Sequence, residues 1–104
     1  MGLAQQSCQP QQSPLAPEDA ATLHQEVRDW GMTERSLARA FVFDDFAEAM
    51  DFVNDVACLA GEEDHHPDIH VSYSKVNLEL TTHKVQGLSK NDFIMAAKID
   101  QLVA

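Results

Sequence analysis

The segment "KVNLEL" at residues 75–80 alternates apolar and polar side chains without exception, and it constrains the fold more than any other stretch. Because successive side chains of a β-strand point to opposite faces, Val76, Leu78 and Leu80 form one apolar face. A strand of this kind fits a sheet with one face on a core and the other in solvent, which is typical of antiparallel sheets. The segment therefore predicts an antiparallel sheet that is covered on one side.

Three more strands and three helices are predicted around this strand. "DWGMTERSLARAFVF" (29–43) indicates a hairpin with the polar turn "TERS", and "DIHVSY" (68–73) indicates a short strand. Helices are predicted in the segments "PEDAATLHQEV", "DDFAEAMDFVNDVACLAG" and "KNDFIMAAKIDQLVA". The order α-β-β-α-β-β-α predicts an α+β domain, with an antiparallel sheet of about four strands and helices packed on one face.

Capping residues fix the expected ends of two helices. Asp45 with Glu48 three residues later predicts the start of the long middle helix, and Gly61 predicts its end. Ser89 with Asp92 predicts the start of the last helix. This last helix is apolar around much of its circumference, so we expect it to meet a second surface, such as another subunit.

The totals limit the architecture and the function classes. A length of 104 residues predicts one domain, with residues 1–17, rich in Gln, Ser and Pro, as a mobile tail and residues 18–104 as the folded part. The net charge of −10 argues against direct binding of nucleic acid. We see no apolar run long enough for a membrane span, no signal peptide, and only two cysteines, so a cytoplasmic protein is expected.

Four of the five histidines lie between residues 62 and 88. His65 and His66 stand between Asp64 and Pro67, and His83 follows the alternating strand, on the polar side by strand parity. Each could be an ordinary surface residue, but a pair with a third at a strand end is less easily explained that way. We interpret His70 as a surface residue.

Two kinds of site remain open from the residues alone. His65, His83 and a carboxylate could meet to hold zinc, although no HExxH or CxxC pattern occurs. General acid–base chemistry is favoured, because imidazole titrates near neutral pH and two imidazoles can take complementary protonation states. The nearby carboxylates are Glu62, Glu63 and Asp64, and we expect them to favour the protonated form of a neighbouring histidine, which suits a general acid.

The ordered set "EDHHPDI" and "YSKVNLELTTHKVQGLSKNDFIMAAKID" resembles the pterin-4a-carbinolamine dehydratase family, over residues 17–104. The resemblance implies a small α+β protein that forms homodimers or homotetramers and needs no metal or organic cofactor. It implies dehydration of a 4a-hydroxytetrahydropterin to the quinonoid dihydropterin, which supports pterin recycling after aromatic amino acid hydroxylases. Three positions depart from the pattern of many or some members: Gly61 in place of Glu, Ile69 in place of Trp and Ser74 in place of Asn.

The resemblance also implies the site residues. His65, His66 and His83 are the expected catalytic histidines: His65 and His83 as acid and base in an order that stays open, and His66 to orient the ring. The residues expected beside the pterin are Asp64, Thr81, Thr82 and Lys84. Asp92 is interpreted as a helix cap rather than a catalytic residue.

Two other functions remain as alternatives. Animal members of the family also bind a homeodomain transcription factor, so a non-catalytic interaction module is one, and the apolar last helix would suit it. An accessory protein in molybdopterin metabolism is the other. A pure scaffold would not need the histidine set, which is the feature that favours the enzyme.

Overall fold

The computed structural model describes residues 2–104. Its helices and strands follow in the predicted order: α1 Pro17–His24, β1 Gly31–Met32, β2 Leu37–Val42, α2 Phe46–Glu63, β3 Asp68–Ser72, β4 Lys75–Leu80 and α3 Lys90–Leu102. Short 3-10 helices lie at Leu3–Gln5 and His83–Val85. The α+β class and the order of elements are confirmed.

The four strands form one antiparallel sheet with the spatial order β1-β2-β4-β3. The alternating segment is β4, an inner strand that pairs with β2 along its whole length, from Leu37 opposite Leu80 to Val42 opposite Lys75. The apolar face predicted for β4 is buried, while Glu79 on the other face is exposed. The one-sided sheet is therefore confirmed.

Helix α3 is the centre of the core. Phe93, Met95 and Ile99 are fully buried, and α3 contacts α1, α2, β2 and β4. Near its end, Asp100 accepts a hydrogen bond of 2.7 Å from the indole of buried Trp30. Such a partner is what a buried Trp N–H requires.

Helix α2 begins as predicted and ends later than predicted. Asp45 Oδ1 accepts a hydrogen bond of 2.8 Å from Glu48 N, which confirms the cap. The helix passes through Gly61, and Asp64 stops it in a left-handed conformation with φ 53°. The prediction of Gly61 as the stop is therefore wrong, because Asp is among the few non-glycine residues that adopt this conformation readily.

Helical spacing in the sequence predicts an apolar face of α2 that includes Phe46, Val56, Ala57 and Ala60, and the structure confirms it in part. Val56 and Ala60 are buried, whereas Phe46 is 50% exposed and Ala57 is exposed as well. The residues that face the core are Ala49, Phe52, Val56 and Ala60. Phe52 anchors this face, since its ring lies 4.7 Å from the ring of Phe41 on β2.

The N-terminal segment packs against α3, in contrast to the mobile tail expected for residues 1–17. Leu3 is only 2% exposed, and Lys98 Nζ donates a hydrogen bond of 2.8 Å to Ala4 O. Single apolar residues on a polar segment carry no periodic signal, so the pattern did not reveal this contact. The domain boundary at residue 17 stays a prediction.

The second surface expected for α3 belongs to the same chain. The sheet, α1, α2 and the N-terminal segment cover the helix, and its exposed large apolar residues are Leu102 and Val103 at the end. The apolar circumference of α3 therefore needs no other subunit to explain it. Along residues 2–104, none of the helices combines the length and the apolar character needed to cross a membrane.

Candidate active site

The end of α2 delivers His65 to the start of α3. After the left-handed turn at Asp64, the backbone N–H groups of Asp64 and His65 both bond to Ala60 O, which closes the helix. His65 then lies with Nε2 2.6 Å from Asp92 Oδ1. The His65 side chain is 11% exposed and that of Asp92 is fully buried, so this is a shielded pair.

Asp92 is held by three donors. Its Oδ2 accepts hydrogen bonds from Ser89 N at 3.0 Å and from Thr82 Oγ1 at 2.8 Å, while Oδ1 faces His65. Asp92 also lies in the first turn of α3, where the helix dipole favours negative charge. These contacts compensate the cost of burying a carboxylate, and they fix both of its oxygens in place.

The protons of this cluster can be assigned by counting donors. Thr82 has one hydroxyl proton, and Asp92 takes it, so the 2.7 Å contact between Thr82 Oγ1 and Ser89 Oγ uses the Ser89 proton. An ionised carboxylate only accepts, so the proton between Asp92 and His65 belongs to His65 Nε2. The other ring nitrogen, Nδ1, then carries no proton and can accept one.

Six of the seven predicted site residues fall into two groups. His65 and Thr82 meet at Asp92. The side chains of the second group are exposed and make no hydrogen bond or ion pair within residues 2–104: Asp64, His66, His83 and Lys84. His83 opens the 3-10 helix after β4 instead of ending the strand, and it directly follows Thr82.

Thr81 has a structural contact that the sequence did not suggest. Its hydroxyl donates to the backbone oxygen of Arg35, in the turn between β1 and β2. This bond ties the hairpin to the segment that carries His83. Thr81 therefore shapes the site's surroundings through the backbone.

The carboxylate that contacts an imidazole is Asp92, and not Asp64 as expected. The capping box of Ser89 and Asp92 is confirmed. Local spacing predicts this cap, but it does not predict that Asp92 also contacts His65. Only the tertiary approach of His65 reveals it. Glu62 and Glu63 do not contact an imidazole either: Glu62 lies 3.8 Å from Cys58 Sγ, and Glu63 accepts a bond from Cys8 N.

The candidate histidines lie outside two cavities of the protein. These cavities, of about 490 and 250 Å³, are lined by other residues, and none of the three histidines borders them. Within residues 2–104, no three His, Cys, Asp or Glu side chains come close enough to hold a metal ion together. The arrangement offers an oriented imidazole for proton transfer.

Comparison with known proteins gives a consistent result. The family model described as "Pterin 4 alpha carbinolamine dehydratase" matches residues 13–102. A protein of Nitrosococcus oceani, provisionally named a pterin-4-alpha-carbinolamine dehydratase, is 44% identical over 102 residues, which are 94% of this chain and 90% of that protein. A protein of Nitrosospira multiformis with the same provisional name is 43% identical, over 96% of this chain and 91% of the other.

Two solved structures share the fold. A structure described as a transcriptional coactivator/pterin dehydratase from Brucella melitensis matches with a TM-score of 0.83 and 26% identity, over 88% of this chain and all of the other. A pterin dehydratase-like protein described as a RuBisCO assembly factor matches with a TM-score of 0.60 and 24% identity, over 72% of this chain and 87% of the other. The second likeness concerns the fold alone.

Proposed function

Because the chain belongs to the pterin-4a-carbinolamine dehydratase family, we propose that it dehydrates a 4a-hydroxytetrahydropterin to the quinonoid dihydropterin. In this reaction the C4a–O and N5–H bonds break, a C4a=N5 double bond forms, and water leaves. No electrons are exchanged with another molecule. The chemistry asks only for a base at N5 and an acid at the departing hydroxyl.

The observation that carries the proposal is the pair His65–Asp92, at 2.6 Å. Asp92 holds the proton of His65 on Nε2, so neutral His65 presents Nδ1 as a base. When Nδ1 takes the N5 proton, the imidazolium that forms is stabilised by the buried carboxylate. We therefore assign the role of the base to His65.

The other residues take the remaining roles in this proposal. We assign His83 as the acid that protonates the hydroxyl. Support for this role is that His83 is the next residue after Thr82, whose hydroxyl bonds Asp92. His66 orients the pterin ring. The residues proposed to contact the pterin are Asp64, Thr81, Thr82 and Lys84, with Thr81 acting through the backbone that it fixes.

A direct assay tests the activity. The 4a-carbinolamine is generated with a phenylalanine hydroxylase, and its decay is followed by absorbance with and without micromolar amounts of this protein. We expect faster decay, since each positioned proton transfer contributes about 10²–10⁴-fold. If the decay rate were unchanged, the proposed function would be rejected.

Histidine variants test the site. His65→Ala or His83→Ala should remove most of the acceleration, with the circular dichroism spectrum unchanged. His70→Ala is the matched control, because His70 lies exposed on β3 and should leave the rate at the wild-type value. Equal rates for all three variants would contradict the assigned base and acid.

We further propose that the protein works as a homodimer or homotetramer in the cytoplasm, together with an aromatic amino acid hydroxylase. Support for association comes from an exposed apolar patch formed by Val42, Phe46 and Tyr73, which are 75%, 50% and 69% exposed. The rings of Phe46 and Tyr73 stack at 6.5 Å. Sedimentation equilibrium measures the mass, and a monomer at micromolar concentration would refute this assembly.

A further inference from the structure

The first residues of the chain form a strap across α3 and the end of α2. We define the N-terminal strap as residues 2–11. Its first anchor is buried Leu3, and Lys98 on α3 donates a hydrogen bond of 2.8 Å to Ala4 O. These contacts place the strap on the same side of α3 as the end of α2.

The later contacts of the strap converge on the two residues that flank the histidine–aspartate pair. Cys8 N donates to Glu63 Oε1 at 2.8 Å, and Glu63 stands two residues before His65. Gln9 N donates to Asn91 Oδ1 at 3.0 Å, and Asn91 Nδ2 donates back to Gln9 O at 2.7 Å. Asn91 directly precedes Asp92, so the strap holds both sides of the pair.

The negative charge of Glu63 would destabilise the end of α2 if nothing compensated it. Glu63 is the last residue of α2, and a negative charge at a helix C-terminus opposes the helix dipole. Its carboxylate is compensated by Cys8 N on one oxygen and by Lys98 Nζ, 3.9 Å from the other. The end of α2 is thereby tied to α3 through the strap.

We propose that the N-terminal strap positions the active-site pair, with Glu63 and Asn91 as positioning residues. By joining the end of α2 to the first turn of α3, the strap sets the separation of His65 Nε2 and Asp92 Oδ1. Its effect on turnover rests on the proposed function, while its effect on the hydrogen bond of the pair does not. A small displacement of a proton-transfer group costs up to about 10²-fold in rate, so modest loosening is measurable.

Cys8 supplies a reporter for the state of the strap. Burial, together with the nearby Glu63 carboxylate, raises the pKa of the Cys8 thiol to about 12. Few Cys8 thiols are then ionised near pH 8, and alkylation of the bound strap is slow. When the strap is released, the pKa of Cys8 falls towards its ordinary value and alkylation speeds up. Cys58 is exposed and serves as the internal reference.

The test uses full-length variants. Asn91→Ala removes both hydrogen bonds to Gln9 without adding charge. Glu63→Ala removes the acceptor of Cys8 N, whereas Glu63→Gln keeps an oxygen at that position and loses the charge equally. Asp45→Ala, at the far end of α2, controls for general loss of stability.

Three measurements are made on each variant: alkylation of Cys8 by mass spectrometry, the ring resonances of His65 by NMR, and kcat and KM. We expect Asn91→Ala and Glu63→Ala to speed alkylation of Cys8 at least about tenfold. Their His65 Nε2–H signal should broaden or move, and kcat should fall about tenfold with little change in KM. Asp45→Ala should behave like the wild type in all three measurements. Glu63→Gln should keep the wild-type His65 signal and kcat, although Cys8 is alkylated faster because the carboxylate that helps to raise the pKa of its thiol is gone. The alkylation rate of Asn91→Ala therefore reports on the strap itself.

Two outcomes would overturn the proposal: unchanged alkylation of Cys8 in Asn91→Ala, or faster alkylation in that variant with the His65 ring signal unaltered. A fall in kcat for Glu63→Gln as large as the fall for Glu63→Ala would also count against the proposal. The hydrogen bond from Cys8 N would then not be what positions the pair. If the wild type lacked dehydratase activity, the proposed function would fail alone. The ring resonances and the alkylation rate would still decide the role of the strap.

Discussion

A capping carboxylate stands at the N-terminus of both α2 and α3, Asp45 as the residue before α2 and Asp92 in the first turn of α3, and the two have different surroundings. At α2, Asp45 is exposed and accepts a bond from Glu48 N, and within residues 2–104 its carboxylate makes no other hydrogen bond or ion pair. At α3, Asp92 accepts from Ser89 N in the buried interior and also contacts Thr82 and His65. Both carboxylates therefore cap the start of a helix, and Asp92 in addition orients an imidazole.

The difference follows from burial. In solvent, water satisfies the second oxygen of a capping carboxylate, so no further partner is required. In the interior, each lone pair needs a protein donor, and the chain must supply the donors from other elements. A buried cap therefore gathers polar side chains around itself, and here one of them is a histidine that can transfer a proton.

Asp92→Asn should have the largest effect, because it alters the buried cap and leaves the exposed cap of α2 intact. Ser89 N and Thr82 require an acceptor at one oxygen, so the amide oxygen takes that place and the NH₂ group faces His65 Nε2. His65 must then carry its proton on Nδ1, and the proposed base is lost. We expect kcat to fall about 10²-fold or more and the free energy of unfolding to fall by about 3 kcal/mol. Steady-state kinetics and urea unfolding measure the two effects.

Asp100→Asn is the control for this change on the same helix. Asp100 accepts bonds from Trp30 and Arg39, far along α3 from the pair. Its loss should lower stability and leave kcat near the wild-type value. A matching fall in kcat for both variants would mean that destabilisation, and not the orientation of His65, explains the effect at Asp92.

A smaller effect is expected from Thr82→Val, which keeps the shape of the side chain and removes the hydroxyl donor to Asp92. The carboxylate keeps two of its three donors. We expect a loss of about 1.5 kcal/mol in the free energy of unfolding and about tenfold in kcat. Thr22→Val is the matched control, since that hydroxyl bonds Glu18 O on the exposed side of α1 and touches nothing near the site. A wild-type kcat in Thr82→Val would show that Thr82 does not help to orient the pair.

The two caps also show what the sequence can predict. The spacing of Ser89 and Asp92 predicts a helix start, and so does the spacing of Asp45 and Glu48. Both predictions are possible because capping depends on neighbouring residues only. The approach of His65 to Asp92 joins residues 27 positions apart, and no local pattern encodes it. The alternation of β4 likewise predicted its buried face, while the stop of α2 at Asp64 depended on which residue takes the left-handed conformation.

The exposed cap gives a cleaner separation of stability from activity. Asp45→Ala removes the acceptor of Glu48 N, and substitutions of this kind cost about 1 kcal/mol. Because no active-site residue contacts Asp45, kcat should not change. Urea unfolding and the carbinolamine assay report the two quantities, and a fall in kcat would mean that the caps are less independent than their surroundings indicate.

The smallest expected effect is a gain in stability, and it concerns Gly61 near the C-terminal end of α2. Gly61 has an ordinary helical backbone, and a Cβ built there meets nothing within 4 Å. Gly61→Ala should therefore raise the free energy of unfolding by about 0.5 kcal/mol, because alanine loses less conformational freedom in a helix. The gain is kept small by the position of Gly61 in the last turn, where helices fray. A loss of stability, measured by urea unfolding, would mean that the chain uses the freedom of Gly61 to end α2 after all, as the sequence predicts.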